Sequence, residues 1–195
     1  MLPTIISYYT PDWLYSTYAD KMRIRCMGLD LDHHIVEIEG TDDWLSNTRL
    51  KPQFILDTLL ELKKPVLWID ADGSLYKQPS LLDDYPYDIG LRLRPEHQQR
   101  QWHVGTVFVN YTDEAIAFME LWADRTNNGS WSDELVLDEL WNEQPVEVCN
   151  LSIGELPPEY FQMLRATDPV PHNNTVIAHR ASKSDNKMKF KERNR

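Results

Sequence analysis

Val66-Leu67-Trp68-Ile69-Asp70-Ala71-Asp72-Gly73 is the stretch on which the reading of the fold turns. Pro65 to Ile69 is a short unbroken apolar run, the mark of a strand buried on both faces of a sheet. It stops at two carboxylates separated by one residue. In open α/β sheets ligands bind outside the carboxyl ends of the strands, so Asp70 and Asp72 stand where a site is expected. Residues i and i+2 of an extended segment point to the same side. Two carboxylates held that close repel, and one tends to stay protonated unless a cation intervenes. Hard oxygen ligands of this kind suit Mg²⁺ or Mn²⁺, which are commonly shared between one or two carboxylates and substrate phosphates. The same tripeptide also fits a plain strand-end turn, with Asp72-Gly73 as ordinary turn chemistry.

Working outward, Thr4 to Tyr9 reads as a first buried strand. A helix follows with Thr10 or Asp12 as N-cap. It carries Leu14, Tyr15, Tyr18, Met22 and Cys26 at helical spacing and closes at Gly28. A short strand is predicted over His34 to Ile38 and a turn at Gly40-Thr41-Asp42. A loop over Trp44 to Leu50 then leads to a helix from Pro52 to Leu62. Beyond the Asp pair, strands are predicted at Asp88 to Leu93, Val104 to Asn110, Val146 to Asn150 and Val176 to Ala178. Helices are predicted at Asp113 to Arg125 and, led by a Ser132 cap, to Trp141. Trp122, Trp131 and Trp141 read as helix-face core residues, unless exposed for stacking on a sugar ring. Strands alternating with helices predict one α/β domain, a mainly parallel mixed sheet with helices on both faces.

The chain has 195 residues, enough for a single sizeable core, and a formal net charge of −11. A protein that grips nucleic acid mainly through phosphates needs a basic surface, so most of this chain argues against that class. The exception is the C-terminal segment with Lys183, Lys187, Lys189, Lys191, Arg193 and Arg195, which divides the chain into a domain over residues 1–183 and a basic, flexible tail over 184–195. Two cysteines, Cys26 and Cys149, make neither a disulfide framework nor a metal-ligand spacing. They fit a reducing compartment, and a cytoplasmic location is expected. No stretch approaches the roughly 18 apolar residues of a membrane span.

A second block of sequence makes the reading specific. Trp44, Asn47, Lys51, Pro52, Phe54 and Ile55, followed by the strand Val66 to Ile69 and by Asp70-Ala71-Asp72, resemble the nucleotide-diphospho-sugar transferases of GT-A fold. Pro79-Ser80-Leu81-Leu82 and the opening strand Ile5 to Thr10 fit the same pattern. So do Trp102 to Asn110, Ser132-Asp133-Glu134-Leu135 and Ile177 to Lys183. The likeness is strongest between Trp44 and Leu82. Three positions depart from the pattern. Val104 stands for a small polar residue, Glu134 stands for an amide, and the glycine that usually follows the histidine is missing after His179.

The resemblance implies a GT-A-like, Rossmann-type domain and a metal-dependent hexosyl- or pentosyltransferase. Its donor is a nucleoside-diphosphate sugar, with UDP-sugars favoured, and its cofactor is Mn²⁺ or Mg²⁺. It implies Asp70, Asp72 and His179 as metal ligands, Asp72 being the firmer and Asp70 binding ribose or metal. Tyr8 and Thr10 frame the nucleobase, and Asn47, Arg49, Lys51 and Lys183 serve the donor. Lys51, just before a helix, can neutralise diphosphate charge. Asp133 and Glu134 are candidates for a general base on the acceptor hydroxyl or a group facing the anomeric carbon, although negative charge at a helix start is favoured in any case. His103 and Gly105, with His97, lie on the acceptor side. The acceptor is a glycan or, for a phage enzyme, a hydroxylated DNA base. The short chain fits a bacterium or a phage-infected host cell. A nucleotide-sugar-binding or metal-binding module without transfer activity is the alternative. A phosphatase or nuclease leaves Trp44 to Lys51 unexplained.

Overall fold

The structure is a computed structural model that describes residues 1–41, 43–94, 102–143, 150–165 and 167–180. The strand expected over Val146 to Asn150 falls almost wholly outside the described residues. His97, Cys149, Lys183 and the basic tail fall outside them entirely.

A six-stranded sheet forms the centre. It is built from β1 (Thr4–Tyr9), β2 (His33–Glu37), β3 (Val66–Ile69), β5 (Ile89–Leu93), β6 (Trp102–Val109) and β7 (Ile153–Glu155), in the order β2-β1-β3-β6-β5-β7. β1 pairs parallel with β2 and β3, and β5 pairs parallel with β7. β6 runs against both of its neighbours, so five strands share one direction and β6 alone reverses it. A smaller sheet joins β4 (Gly73–Leu75), β9 (Ile177–Arg180) and β8 (Gln162–Leu164), with β9 in the middle.

The two-residue period of the strands sorts the core into two layers. Ile6 and Tyr8 of β1 and Val66 and Trp68 of β3 face one side, against α3 (Lys51–Leu62), α4 (Asp113–Asn128) and α5 (Asp133–Glu143). Ile5, Leu67 and Ile69 face the other, against Ala19, Met22 and Cys26 of α1 (Trp13–Gly28) and Leu75 and Ile177 of the small sheet. All four residues of β3 are buried, as its unbroken apolar run requires. Helices therefore cover both faces, as the sequence pattern predicts.

Local departures have local causes. Asp12, not Thr10, caps α1, accepting from the Leu14 amide at 2.8 Å. Gly28 is the last helical residue. The left-handed residue that turns the chain is Asp30, at φ 53°, which fits the tolerance of aspartate for that region. The expected loop over Trp44 to Leu50 is a short helix, α2 (Trp44–Arg49), started by Asp43. That carboxylate accepts from the Ser46 amide at 2.9 Å. Trp131 lies in the α4–α5 connection and is exposed, whereas Trp122 is wholly buried, its indole N–H bonded to the Asp133 carbonyl.

The pairing of β5 with β6 is interrupted. Leu91 opposes Val107, but the next residue, Arg92, opposes His103. Val104, Gly105 and Thr106 therefore have no partner on β5. Bulges of this sort re-aim side chains beside active sites. Here the displaced residues crowd the end of β3, where the Asp70 amide donates to the Gly105 carbonyl at 2.9 Å.

Asp88 fastens the far edge of the sheet. Its carboxylate accepts from Thr112 Oγ1 (2.6 Å), which caps α4, and from Ser152 N (2.9 Å) and Ser152 Oγ (2.6 Å), which lead into β7. Burial pushes the Asp88 carboxyl up, yet these bonds outweigh it and hold the group below the usual carboxylate range. Asp88→Ala is expected to lower stability by about 2 kcal/mol at pH 7, read by urea unfolding. Because the folded group titrates below its unfolded value of about 3.9, its contribution is full above that pH. The gap between wild type and variant should narrow as pH falls through the folded value. A gap independent of pH between 6 and 2 would rule the carboxylate out as the fastener.

Candidate active site

The carboxyl ends of β1 and β3, the displaced part of β6, the first turns of α3 and α5, and β9 of the small sheet converge at one edge. Lys51 lies at the bottom. It is 4% exposed, and its ammonium is 2.9 Å from Asp70 Oδ1 and 2.7 Å from Asp133 Oδ2 while it donates to the Val104 carbonyl at 3.1 Å. The Trp68 ring lies beneath it, 5.5 Å from centroid to nitrogen. Sequence reading assigns Lys51 to a diphosphate. The structure directs its charge at two carboxylates, Asp70 at the end of β3 and Asp133 at the start of α5.

The two carboxylates are not equivalent. Burial pushes Asp70 up, but Lys51, His179 and the Trp68 indole N–H (2.8 Å) more than offset this, and Asp70 titrates below the usual range. Burial also pushes Asp133 up. Lys51 offsets this only in part, Asp70 adds to it, and the net direction is upward. The Asp133 side chain is 5% exposed against 35% for Asp70. Asp133 is thus a counter-charge in the floor of the site, not an open base as its helix-start position suggests. Glu134 is paired as well, to the Arg94 guanidinium, whose Nε donates to His103 Nδ1 at 2.8 Å.

Asp72 follows in the turn closed by Gly73 N donating to Asp70 O at 2.7 Å. The pairing of β4 with β9 sets His179 opposite Gly73. The His179 imidazole is buried, with Nε2 2.8 Å from Thr106 Oγ1 and Nδ1 3.8 Å from Asp72 Oδ1. Two glycines make room for it. A Cβ on Gly73 would lie 3.0 Å from His179 Cε1 and 2.4 Å from Ile69 Cγ2. One on Gly105 would lie 3.2 Å from the same carbon and 2.8 Å from Phe161. Three residues far apart in sequence thus meet, although among the described residues no three His, Cys, Asp or Glu side chains are drawn close enough to cage an ion.

Other expected site residues have structural partners. Tyr8 is buried between Phe54 and Trp68, and its hydroxyl donates to the Asn47 carbonyl at 2.6 Å. The Asn47 amide bonds both backbone groups of Thr41, at 2.7 and 3.1 Å. Arg49 donates to the carbonyls of Thr126, Asn127 and Gly129, tying α2 to the end of α4. Thr10 packs against Gly40.

Two cavities flank Asp70 and Asp72. The smaller, about 130 Å³, is walled by Tyr9, Thr10, Tyr15 and Trp44, with Tyr8 behind. The larger, about 690 Å³, runs past Gly105, Asp133 and Glu134 to Trp131, Phe161 and His179. Asp70, Asp72, Lys51, Thr48 and Trp44 line both.

Residues 17–192 match the sequence pattern of the family described as nucleotide-diphospho-sugar transferase. The chain belongs to that family. It is a glycosyltransferase that takes its sugar from a nucleoside-diphosphate donor. No curated protein sequence matches the transferase at a significant level. Among solved structures it resembles a glycosyltransferase involved in the glycosylation of the major capsid of PBCV-1, with a TM-score of 0.72 and 12% identity over 98% of each chain. It also resembles apo-form GlyE of Streptococcus pneumoniae TIGR4, with a TM-score of 0.61 and 13% identity. That match covers 94% of the transferase and 55% of GlyE, so the transferase spans about half of the longer protein. At these identities the likeness shows the fold.

Sequence reading missed two residues of the transferase's larger cavity. Arg94 joins His103 to Glu134, and Phe161 is stacked between the His103 and His179 rings, at centroid distances of 4.0 and 4.3 Å. Phe161 follows Pro157-Pro158, a signal of a turn only. Among the described residues no helix is long and apolar enough to cross a membrane.

Lys51→Met leaves Asp70 and Asp133 facing each other without a counter-charge. Breaking a buried ionic group in this way costs roughly 3–5 kcal/mol, and denaturant unfolding should show a loss of that order. A loss under about 1 kcal/mol would mean that the buried ammonium does not hold the site together.

Proposed function

We propose that the chain is a metal-dependent transferase that moves a hexosyl or pentosyl group, from a UDP-sugar in the first instance, to a hydroxyl of a glycan. The observation that carries this reading is that the two cavities meet at Asp70 and Asp72. A nucleotide in the smaller one has its diphosphate at the carboxylates and its sugar turned into the larger one. The aromatic walls of the smaller cavity suit a nucleobase.

The residues present fit a divalent ion. Asp72 Oδ1 and His179 Nδ1, 3.8 Å apart, can straddle an ion at ligand distances of about 2.1 Å. The Thr106 hydroxyl fixes the far side of the imidazole, as outer partners of metal-binding histidines do. Two protein ligands suit an ion that completes its shell with phosphate oxygens and water. Charge supports the same reading. Asp70, Asp72, Asp133 and Glu134 outnumber Lys51, Arg94 and Arg180, and a diphosphate adds further negative charge. A bound ion would act as a Lewis acid on the leaving diphosphate. Lys51 keeps Asp70 ionised and in place, and the cavity walls orient the acceptor hydroxyl.

A glycan acceptor is favoured over DNA by the net charge of −11 and by Trp131 and Phe161 in the larger cavity.

Thermal unfolding with Mn²⁺ and a panel of nucleoside diphosphates and nucleotide sugars tests the donor side. A ligand at about 100 times its Kd stabilises the fold by about 2.7 kcal/mol, which is roughly 5–10 °C for a chain of this size. The shift should need the metal, favour one base and vanish in Asp72→Ala. No shift with any nucleotide, with or without metal, would defeat the proposal.

A further inference from the structure

Beyond Phe161 lies a further cavity of about 590 Å³ that the transfer step does not use. Its volume is within the roughly 300–1,000 Å³ of small-ligand sites. It adjoins the larger cavity, with Arg94, Phe161 and Met163 lining both. The boundary is the ring stack of His103, Phe161 and His179. A ligand that reaches the transfer centre beside His179 therefore passes the edge of an aromatic ring on its way out.

The chemistry of the walls narrows the ligand class. The cationic groups are largely matched within the protein. Arg92 pairs with Glu155 at 2.6 Å, Arg94 with Glu134, and His172 Nε2 lies 3.0 Å from Asp168. An anion would have to displace a carboxylate from each of these three, and the fourth cation of the lining, Arg165, is exposed on the rim, so the interior of the cavity is not built for phosphate or a uronic acid. The remaining lining includes neutral groups that are likewise engaged within the protein, though an amide or hydroxyl that makes one bond keeps further donor and acceptor capacity. Gln162 Oε1 accepts from the His172 amide at 2.9 Å and from the Thr175 hydroxyl, and the Asn174 amide donates to Glu159 at 2.7 Å. Neutral hydrogen-bonding groups beside an aromatic edge suit an uncharged polyhydroxylated chain.

We infer that the acceptor is a neutral oligosaccharide, not a single sugar, and that its units remote from the reacting hydroxyl lie in the cavity beyond Phe161. The inference rests on the glycan-acceptor reading above. Binding energy from remote units is then available to the transition state, so a truncated acceptor loses turnover as well as affinity.

The test uses the full chain with Mn²⁺ and whichever nucleotide sugar it hydrolyses in the absence of acceptor. Manno-, xylo-, cello- and chito-oligosaccharides of one to four units are the acceptors. In the series that is used, kcat/KM should rise about tenfold or more from one unit to four. Arg165 and Thr167 are exposed on the cavity rim. In Arg165→Ala, and in Thr167→Trp, which fills the space, the rise should shrink to under about threefold while donor hydrolysis holds at the wild-type rate. Equal kcat/KM for one and four units, a rise that survives both variants, or use of no tetrasaccharide while the donor is still hydrolysed would overturn the inference and leave the donor site standing. Absence of both donor hydrolysis and transfer to any acceptor with every nucleotide sugar and Mn²⁺ would remove the metal-dependent glycan-transfer reading and the inference together.

Discussion

The ammonium of Lys51 is the group on which this site depends. It is buried where α3 begins, and it meets Asp70 at the end of β3, Asp133 at the start of α5 and the Val104 carbonyl in the displaced stretch of β6. A lone buried cation would cost several kcal/mol, so four elements are drawn together by one charge. Two carboxylates share that charge unequally. The enclosed one, Asp133, is pushed toward its neutral form, and the half-open one, Asp70, toward its ionised form. The surplus negative charge is thereby delivered to the edge that opens on both cavities, next to Asp72.

Close packing above Lys51 then sets the remaining geometry. The register jump in β6 leaves Gly105 free of β5, and the absence of a side chain there lets Asp70, His179 and Phe161 approach one another. Gly73 does the same on the other face of the His179 ring. Among the described residues no glycine has a positive φ, so these two positions are required by space and not by backbone conformation. The stacking of Phe161 on both imidazoles fixes the ring plane of His179 from within the larger cavity, as Thr106 fixes its edge.

Much of this was legible in the sequence wherever a single segment carried the signal. The run Val66 to Ile69 announced a doubly covered strand, and the carboxylates after it announced the edge at which the cavities lie. The spacing of Lys51 and Pro52 before Phe54 and Ile55 located the start of α3. It did not reveal where the ammonium points, because its partners come 19 and 82 residues later along the chain, counted from Lys51 to Asp70 and to Asp133. The shift between Leu91 and Arg92 leaves one compositional trace, Gly105 inside the apolar run of β6, since an isolated glycine in a strand marks a bulge or a close approach. Trp44 to Arg49 read as loop because six residues are too few to show a helical period, and only the Asp43 cap betrays them. Arg94 and Phe161 were missed for the reason the partners of Lys51 were: those partners are distant in sequence, and neither residue sits in a motif of its own.

The small sheet ties the wall proposed for the acceptor to the turn that carries the carboxylates. β9 pairs with β4, which follows Asp72 directly, and β8 pairs with β9. Met163, His179 and Arg180, and Phe161 just before β8, all lining the larger cavity, are therefore carried by strands anchored at the Asp70–Gly73 turn. In a transferase with a separate acceptor domain, the two substrates are aligned by a domain interface, which is free to move. Here the wall proposed for the acceptor and the carboxylates proposed for the donor are joined by the Arg180 amide donating to the Asp72 carbonyl at 3.2 Å and by the β4–β9 ladder. Misplacement by about 1 Å can cost a hundredfold in rate, so direct hydrogen-bonded coupling between the two walls is a physical advantage that a second domain would have to recover by closing.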